Sequence, residues 1–268
     1  MSAMAFTYRD GIAVAQIVAF SPLFLFAVYF KYTDRIGWFC SGIFCLLRLI
    51  GASCKLAAMK SDSRGLSAAI FVCESLGMIL IIFLLLGILE RANKILPILR
   101  KRLFLLPSII TWIDIGISIG GWVAVMHVEH PLLPTPYSQA STALLAVIYL
   151  YMVGVFMAIG LHRSNLPKQE RWGITAVAVC IPMLAVRLAY TLIFVITADM
   201  DFNAIRGNPT AYLIMTMLPE VAIIAICTYI IQAKIPVSHD LNGNRQKLGS
   251  EDGGEYWFGG TGSPRGIV

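Results

Sequence analysis

Residues 78–89 read MILIIFLLLGIL, eleven apolar residues and one glycine without a polar side chain. Extended to 66–89, the stretch carries one charge, Glu74. A bilayer-crossing helix needs about 20 consecutive, mostly apolar residues, and this run supplies them. Six further stretches read the same way, at 11–30, 36–59, 103–126, 139–161, 172–197 and 211–233. The expectation is an all-α polytopic membrane protein, a bundle of seven transmembrane helices.

Composition agrees. Of 268 residues, 58% are apolar and 13% charged, and the mean hydropathy is +0.76. A soluble domain carries about 25% charged residues, so a soluble enzyme is excluded, as is disorder over most of the chain. The net charge of +6 belongs to loops, and no basic stretch is interleaved with aromatics, so no nucleic-acid partner is expected. The start, Met1 to Asp10, lacks a basic leader, so the first span is expected to serve as an uncleaved signal anchor. Domain organisation is a seven-helix region, 1–233, and a disordered tail, 234–268, with eight glycines.

Loop charge sets the orientation. Fourteen Lys and Arg lie on the face of loops 31–35, 90–102, 162–171 and the tail, against four on the other face, Arg9, Lys60, Arg64 and Arg206. Positive loops stay in the cytoplasm. The expected topology is a lumenal or outside N-terminus and a cytoplasmic C-terminus. The endoplasmic reticulum is the expected membrane, on the prospective chemistry alone.

Six ionisable residues lie inside spans: Arg48, Lys55, Glu74, Asp114, Arg187 and Glu220. Each costs about 2.5–3.5 kcal/mol at the bilayer centre even on a lenient scale. Three basic and three acidic, they are expected to face one another or a water-filled cavity. Their depths overlap in the central-to-lumenal half, except that Lys55 is shallow enough to snorkel to the lumenal face. Such a set reads either as ion pairs that fix helix register, or as a site where one acid stays ionised against arginine while another keeps its proton. Pro182 and Pro219 are expected to kink the sixth and seventh spans beside it. Trp112 and Tyr190 lie near Asp114 and Arg187, and their ring faces suit a cation, although core packing explains them as well.

Other constellations are weak. His127, Glu129 and His130 lack a helical metal-ligand spacing, and proline follows, so no metal is expected. The cysteines Cys40, Cys45, Cys54, Cys73, Cys180 and Cys227 sit in apolar segments without a C-x-x-C pair and read as packing residues. No Walker motif, Asp-rich diphosphate motif, H-E-x-x-H, G-x-S-x-G or span-seven lysine is present, and no cofactor is expected. Tyr256, Trp257 and Phe258 in the tail could touch a membrane or a partner, although a solvated tail accounts for them.

Three segments resemble a known family. They are Arg48-Leu49-Ile50-Gly51-Ala52, Pro182-Met183-Leu184-Ala185-Val186-Arg187-Leu188-Ala189-Tyr190, and Leu218-Pro219-Glu220. Together they resemble a fungal family of seven-helix membrane proteins of unknown function, over the spans and not the tail. That family is similar to the small membrane-bound terpene cyclases of meroterpenoid pathways, of the ascofuranone and macrophorin type. The Trp-rich segments of the pyripyropene-type cyclases are not found here. The resemblance implies a metal-free isomerase of secondary metabolism that protonates an olefin or epoxide of a hydrophobic prenylated substrate. It places Arg48, Arg187, Tyr190 and Glu220 on motif positions. Glu74 and Asp114 join from their depth, and Trp112 from its ring. The expected catalytic set is Glu220, Asp114 and Glu74, and the expected substrate contacts are Arg48, Arg187, Tyr190 and Trp112. A transporter or lipid exporter, or a seven-helix receptor, are the alternative functions. Against them stand the lack of an internal repeat and of receptor motifs.

Overall fold

The computed structural model of the chain describes residues 8–33, 35, 37–58, 64–125, 136–203 and 207–234. Among these the architecture is all-helical, without a strand. Its helices are α1 (Tyr8–Tyr32), α2 (Trp38–Ala58), α3 (Arg64–Ile95), α4 (Leu106–Val125), α5 (Pro136–Gly160), α6 (Lys168–Thr197) and α7 (Pro209–Ala233). The loop 127–138 with its histidines falls mostly outside the described residues, and so does the tail beyond Lys234.

Among the described residues, α1, α2, α3, α5, α6 and α7 are long and apolar enough to cross a membrane, and they mark an integral membrane protein. The expected fourth span coincides with α4, a 20-residue apolar helix. Large apolar side chains face outward along these helices, among them Val18, Leu25, Leu150 and Ile196, each two-thirds exposed or more. An apolar exterior around buried charges suits contact with lipid rather than water.

The segment at 78–89 forms the middle of the bundle. α3 packs against α2, α4, α5 and α6, and 61% of its most apolar window is buried. Lipid offers no hydrophobic drive between helices, so close approach depends on small residues and shape. Gly51 of α2 comes so near α3 that an added Cβ would sit 3.4 Å from the Cys73 Cβ, and Gly42 approaches Ala27 of α1 in the same way, at 3.6 Å. All six cysteines are free thiols, four of them buried.

Helix ends follow local chemistry. Asn208 caps α7 by accepting from the Thr210 N–H at 3.0 Å, and Pro209 takes the first helical position. α6 ends where Ala198 turns left-handed, at φ 53°. The turn after α3 is tied by Asn93, whose amide donates to the Leu99 carbonyl at 2.9 Å and accepts from the Ile98 and Leu99 N–H groups. Both α3 and α6 run past their expected ends, because hydropathy alone stops at the first charged residue. The extension turns Arg91 and Glu170, expected in loops, into a buried ion pair at 3.0 Å between the two helices.

α7 contains one irregularity. Leu213–Met217 forms a π turn between two α-helical pieces. Pro219 follows two residues on; its ring would crowd the carbonyl four residues back in a regular α-helix, and the wider π turn relieves that contact. α6 by contrast continues as one helix through Pro182.

Candidate functional site

Five of the six intramembrane charges meet in one cluster between α2, α3, α6 and α7. Glu74 of α3 holds it together. Its Oε1 accepts from the Lys55 ammonium at 3.0 Å and from the Tyr212 hydroxyl at 2.6 Å. Its Oε2 accepts from Arg48 at 2.7 Å and from Arg187 at 3.0 Å. The Glu220 Oε1 is bridged by the same two arginines, by Arg48 Nη2 and by Arg187 Nε at 2.8 Å. Arg187 Nη1 completes its fork on Thr191 at 2.7 Å. Charge-assisted forks of this kind give direction as well as energy.

The spacing of the chain produces this meeting. Thr191 stands one turn after Arg187 on the same face of α6. On α7, Tyr212, Thr216 and Glu220 recur every four residues across the π turn and are all buried. Gly77 makes room for the cluster: a Cβ there would lie 2.9 Å from Arg48 Nη2. The Arg48 guanidinium also stacks over the Phe44 ring at 5.3 Å.

Lys55 does not snorkel. Its side chain is 13% exposed, paired with Glu74, and its ammonium sits 3.9 Å from the Tyr212 ring centroid. A carboxylate and a ring face within reach hold it better than the distant headgroups do. Among the described residues the cluster then contains three cations and two carboxylates, a formal excess of one positive charge. Its partners also continue outward: the Gln16 amide of α1 donates to the Tyr212 oxygen at 3.2 Å.

Three expected site residues stand apart from these bonds. Asp114 is buried, and the Ser141 hydroxyl of α5 hydrogen-bonds its carboxyl. No cation pairs with it among the described residues, and its Oδ1 has no partner among them. Tyr190 is buried next to the cluster, with its ring 5.7 Å from Phe202 and 6.3 Å from Tyr212, but its hydroxyl bonds none of the charges. Trp112 is 75% exposed. It lines a groove of about 560 Å³ between α2, α3 and α4, with Phe39, Phe83, Phe104 and Thr111 among the walls. The groove occupies the half of the bundle that holds the start of α2 and the end of α3. The charge cluster occupies the other half.

Three participants, Tyr212, Gln16 and Thr191, escaped the sequence reading because none is charged. For Tyr212 the signal was the four-residue recurrence of polar residues along α7. Among the described residues, no group of three His, Cys, Asp or Glu converges as metal ligands would.

Residues 6–232 match the family described as a domain of unknown function, DUF7702. The chain belongs to that family, and the match takes in every described helix but for the last residue of α7, Ala233. No curated protein and no solved structure matches it.

Proposed function

We propose that the chain is a membrane-embedded terpene cyclase, an isomerase of secondary metabolism acting on a prenylated, meroterpenoid-like substrate. The observation that carries this reading is the conjunction at α4. Asp114 is a buried acid facing a hydroxyl and no cation, one helical turn from Thr111 of an apolar, aromatic-walled groove. In this reading the prenyl chain lies in the groove and Asp114 is the proton donor. Its proton adds to an olefin carbon or an epoxide oxygen, and the cation that forms is stabilised by Trp112 and the phenylalanine rings. Ring closure and loss of a proton leave an isomer. Glu74 and Glu220, each bound to two guanidinium groups, serve as counter-ions that hold the bundle in register.

α4 crosses as the seventh span in this scheme. The N-terminus then lies outside or in the lumen and the tail in the cytoplasm, as loop charge favours. The enzyme would reside in the endoplasmic reticulum.

The test uses microsomes from a host expressing the chain. They are fed a farnesylated phenol or its terminal epoxide, and products are separated by chromatography and mass spectrometry. A new compound of unchanged mass is expected, absent from Asp114→Asn at equal protein abundance. No isomer from either substrate, with protein shown to be folded, refutes the proposal.

The π turn next to Glu220 favours a second reading, a transporter or receptor in which α7 bends. Intramembrane ionisable groups also mark substrate paths. In that case Asp114→Asn leaves activity intact, and changes at the π turn alter substrate distribution or signalling.

A further inference from the structure

The polar atoms around Tyr212 are not all satisfied. Glu220 Oε2, Thr216 Oγ1, the Tyr190 hydroxyl and Gln16 Oε1 are buried and have no hydrogen-bond partner among the described residues. They belong to three helices, α1, α6 and α7, and they follow one another in space. Gln16 bonds the Tyr212 hydroxyl. Tyr190 packs edge-on against the Tyr212 ring. Thr216 and Glu220 stand one and two turns further along α7 from Tyr212, and Glu220 bonds Arg187, three residues before Tyr190.

A dry orphan of this kind costs about 1–3 kcal/mol, and four in one seam are not sustained without a partner. The chemistry of the missing partner follows from the atoms. Glu220 Oε2 and Gln16 Oε1 only accept. The hydroxyls of Thr216 and Tyr190 both donate and accept. A carboxylate ligand has no proton to offer the two acceptors, and an ammonium would add to the excess positive charge of the cluster.

We infer that the α1/α6/α7 seam is a binding site for a neutral O–H donor, reaching from Gln16 down to Glu220. The O–H comes from ordered water or from the alcohol headgroup of an amphiphile. The site is distinct from the groove between α2, α3 and α4 and does not depend on the cyclase reading.

Two measurements on the full-length protein in detergent test it. Hydroxyl-radical footprinting by radiolysis marks side chains next to bound water. Tyr190, Tyr212 and Met217 are expected to label despite their burial, well above the fully buried Phe20 and Phe44 once each side chain's intrinsic reactivity is taken into account. Repeating it with oleyl alcohol and with oleyl methyl ether separates the sources. Protection by the alcohol alone assigns an amphiphile headgroup, and unchanged labelling with both assigns water. Thr216→Val then reads the energetics. A hydroxyl bonded to water or ligand is missed, and melting falls by about 2–4 °C, one hydrogen bond in a chain of this size. A dry, orphaned hydroxyl is better removed, so melting holds or rises. Labelling no faster than at Phe20 and Phe44, or a Thr216→Val melting point at or above wild type, overturns the inference.

Discussion

Replacing Glu220 by glutamine tests whether the charge cluster is a mechanical element of the bundle. Glu220 is fully buried, and its Oε1 is shared by Arg48 and Arg187. The amide keeps the shape and an acceptor oxygen but removes one negative charge, so the formal excess rises from one positive charge to two. Unit charges about 4 Å apart interact by about 4 kcal/mol at an effective dielectric of 20. Breaking a buried pair by removing one partner costs about 3–5 kcal/mol. Because the amide oxygen still accepts, the lower end applies, about 3 kcal/mol, or roughly 6–12 °C in melting temperature for a chain of this size. The assay is thermal melting of detergent-solubilised protein followed by size-exclusion chromatography, with abundance in membranes alongside. Adding Arg48→Met to Glu220→Gln brings the excess back to one. The double variant is then expected to lose less than the two single losses together, by about 0.5–3 kcal/mol. Melting of Glu220→Gln at the wild-type temperature, or additive losses in the double variant, refutes the reasoning.

Tyr212→Phe removes the hydroxyl that donates to Glu74 at 2.6 Å and accepts from Gln16, with an expected loss of about 1–3 kcal/mol in the same melting assay. Gly77→Ala places a Cβ 2.9 Å from Arg48 Nη2 and 3.3 Å from Phe44 Cε2; melting is expected to fall by about 1–3 kcal/mol of overpacking, and unchanged melting would show that the guanidinium has room to move. Sealed microsomes bearing tagged chain should leave a C-terminal tag open to added protease and protect an N-terminal one, and the reverse pattern would overturn the orientation taken from loop charge.

The helices were legible because lipid and packing demand the same thing, long apolar runs, and 78–89 showed it most plainly. The ends were less legible. Hydropathy stops α3 near Leu89 and starts α6 near Trp172, whereas Arg91 and Glu170 remain helical because each gives the other a buried partner. α4 shows the same agreement: its apolar run predicts a helix, and Leu106–Val125 forms one.

For the site, depth along each helix was readable and direction around it was not. Depth correctly placed Arg48, Glu74, Arg187 and Glu220 at one level, and opposite charge in a low dielectric then leaves them little choice but to meet. Asp114, read at the same depth, instead bonds Ser141 from α4, which does not border the cluster, and nothing in a periodicity states which neighbours a helix will have. An acid tied to two guanidinium groups and an acid facing a lone hydroxyl are different reagents. The first pins helices, and changing it lowers stability before it reports on catalysis. The second leaves the ion network untouched when it is changed. Asp114→Asn therefore separates loss of function from loss of fold, whereas Glu220→Gln confounds them.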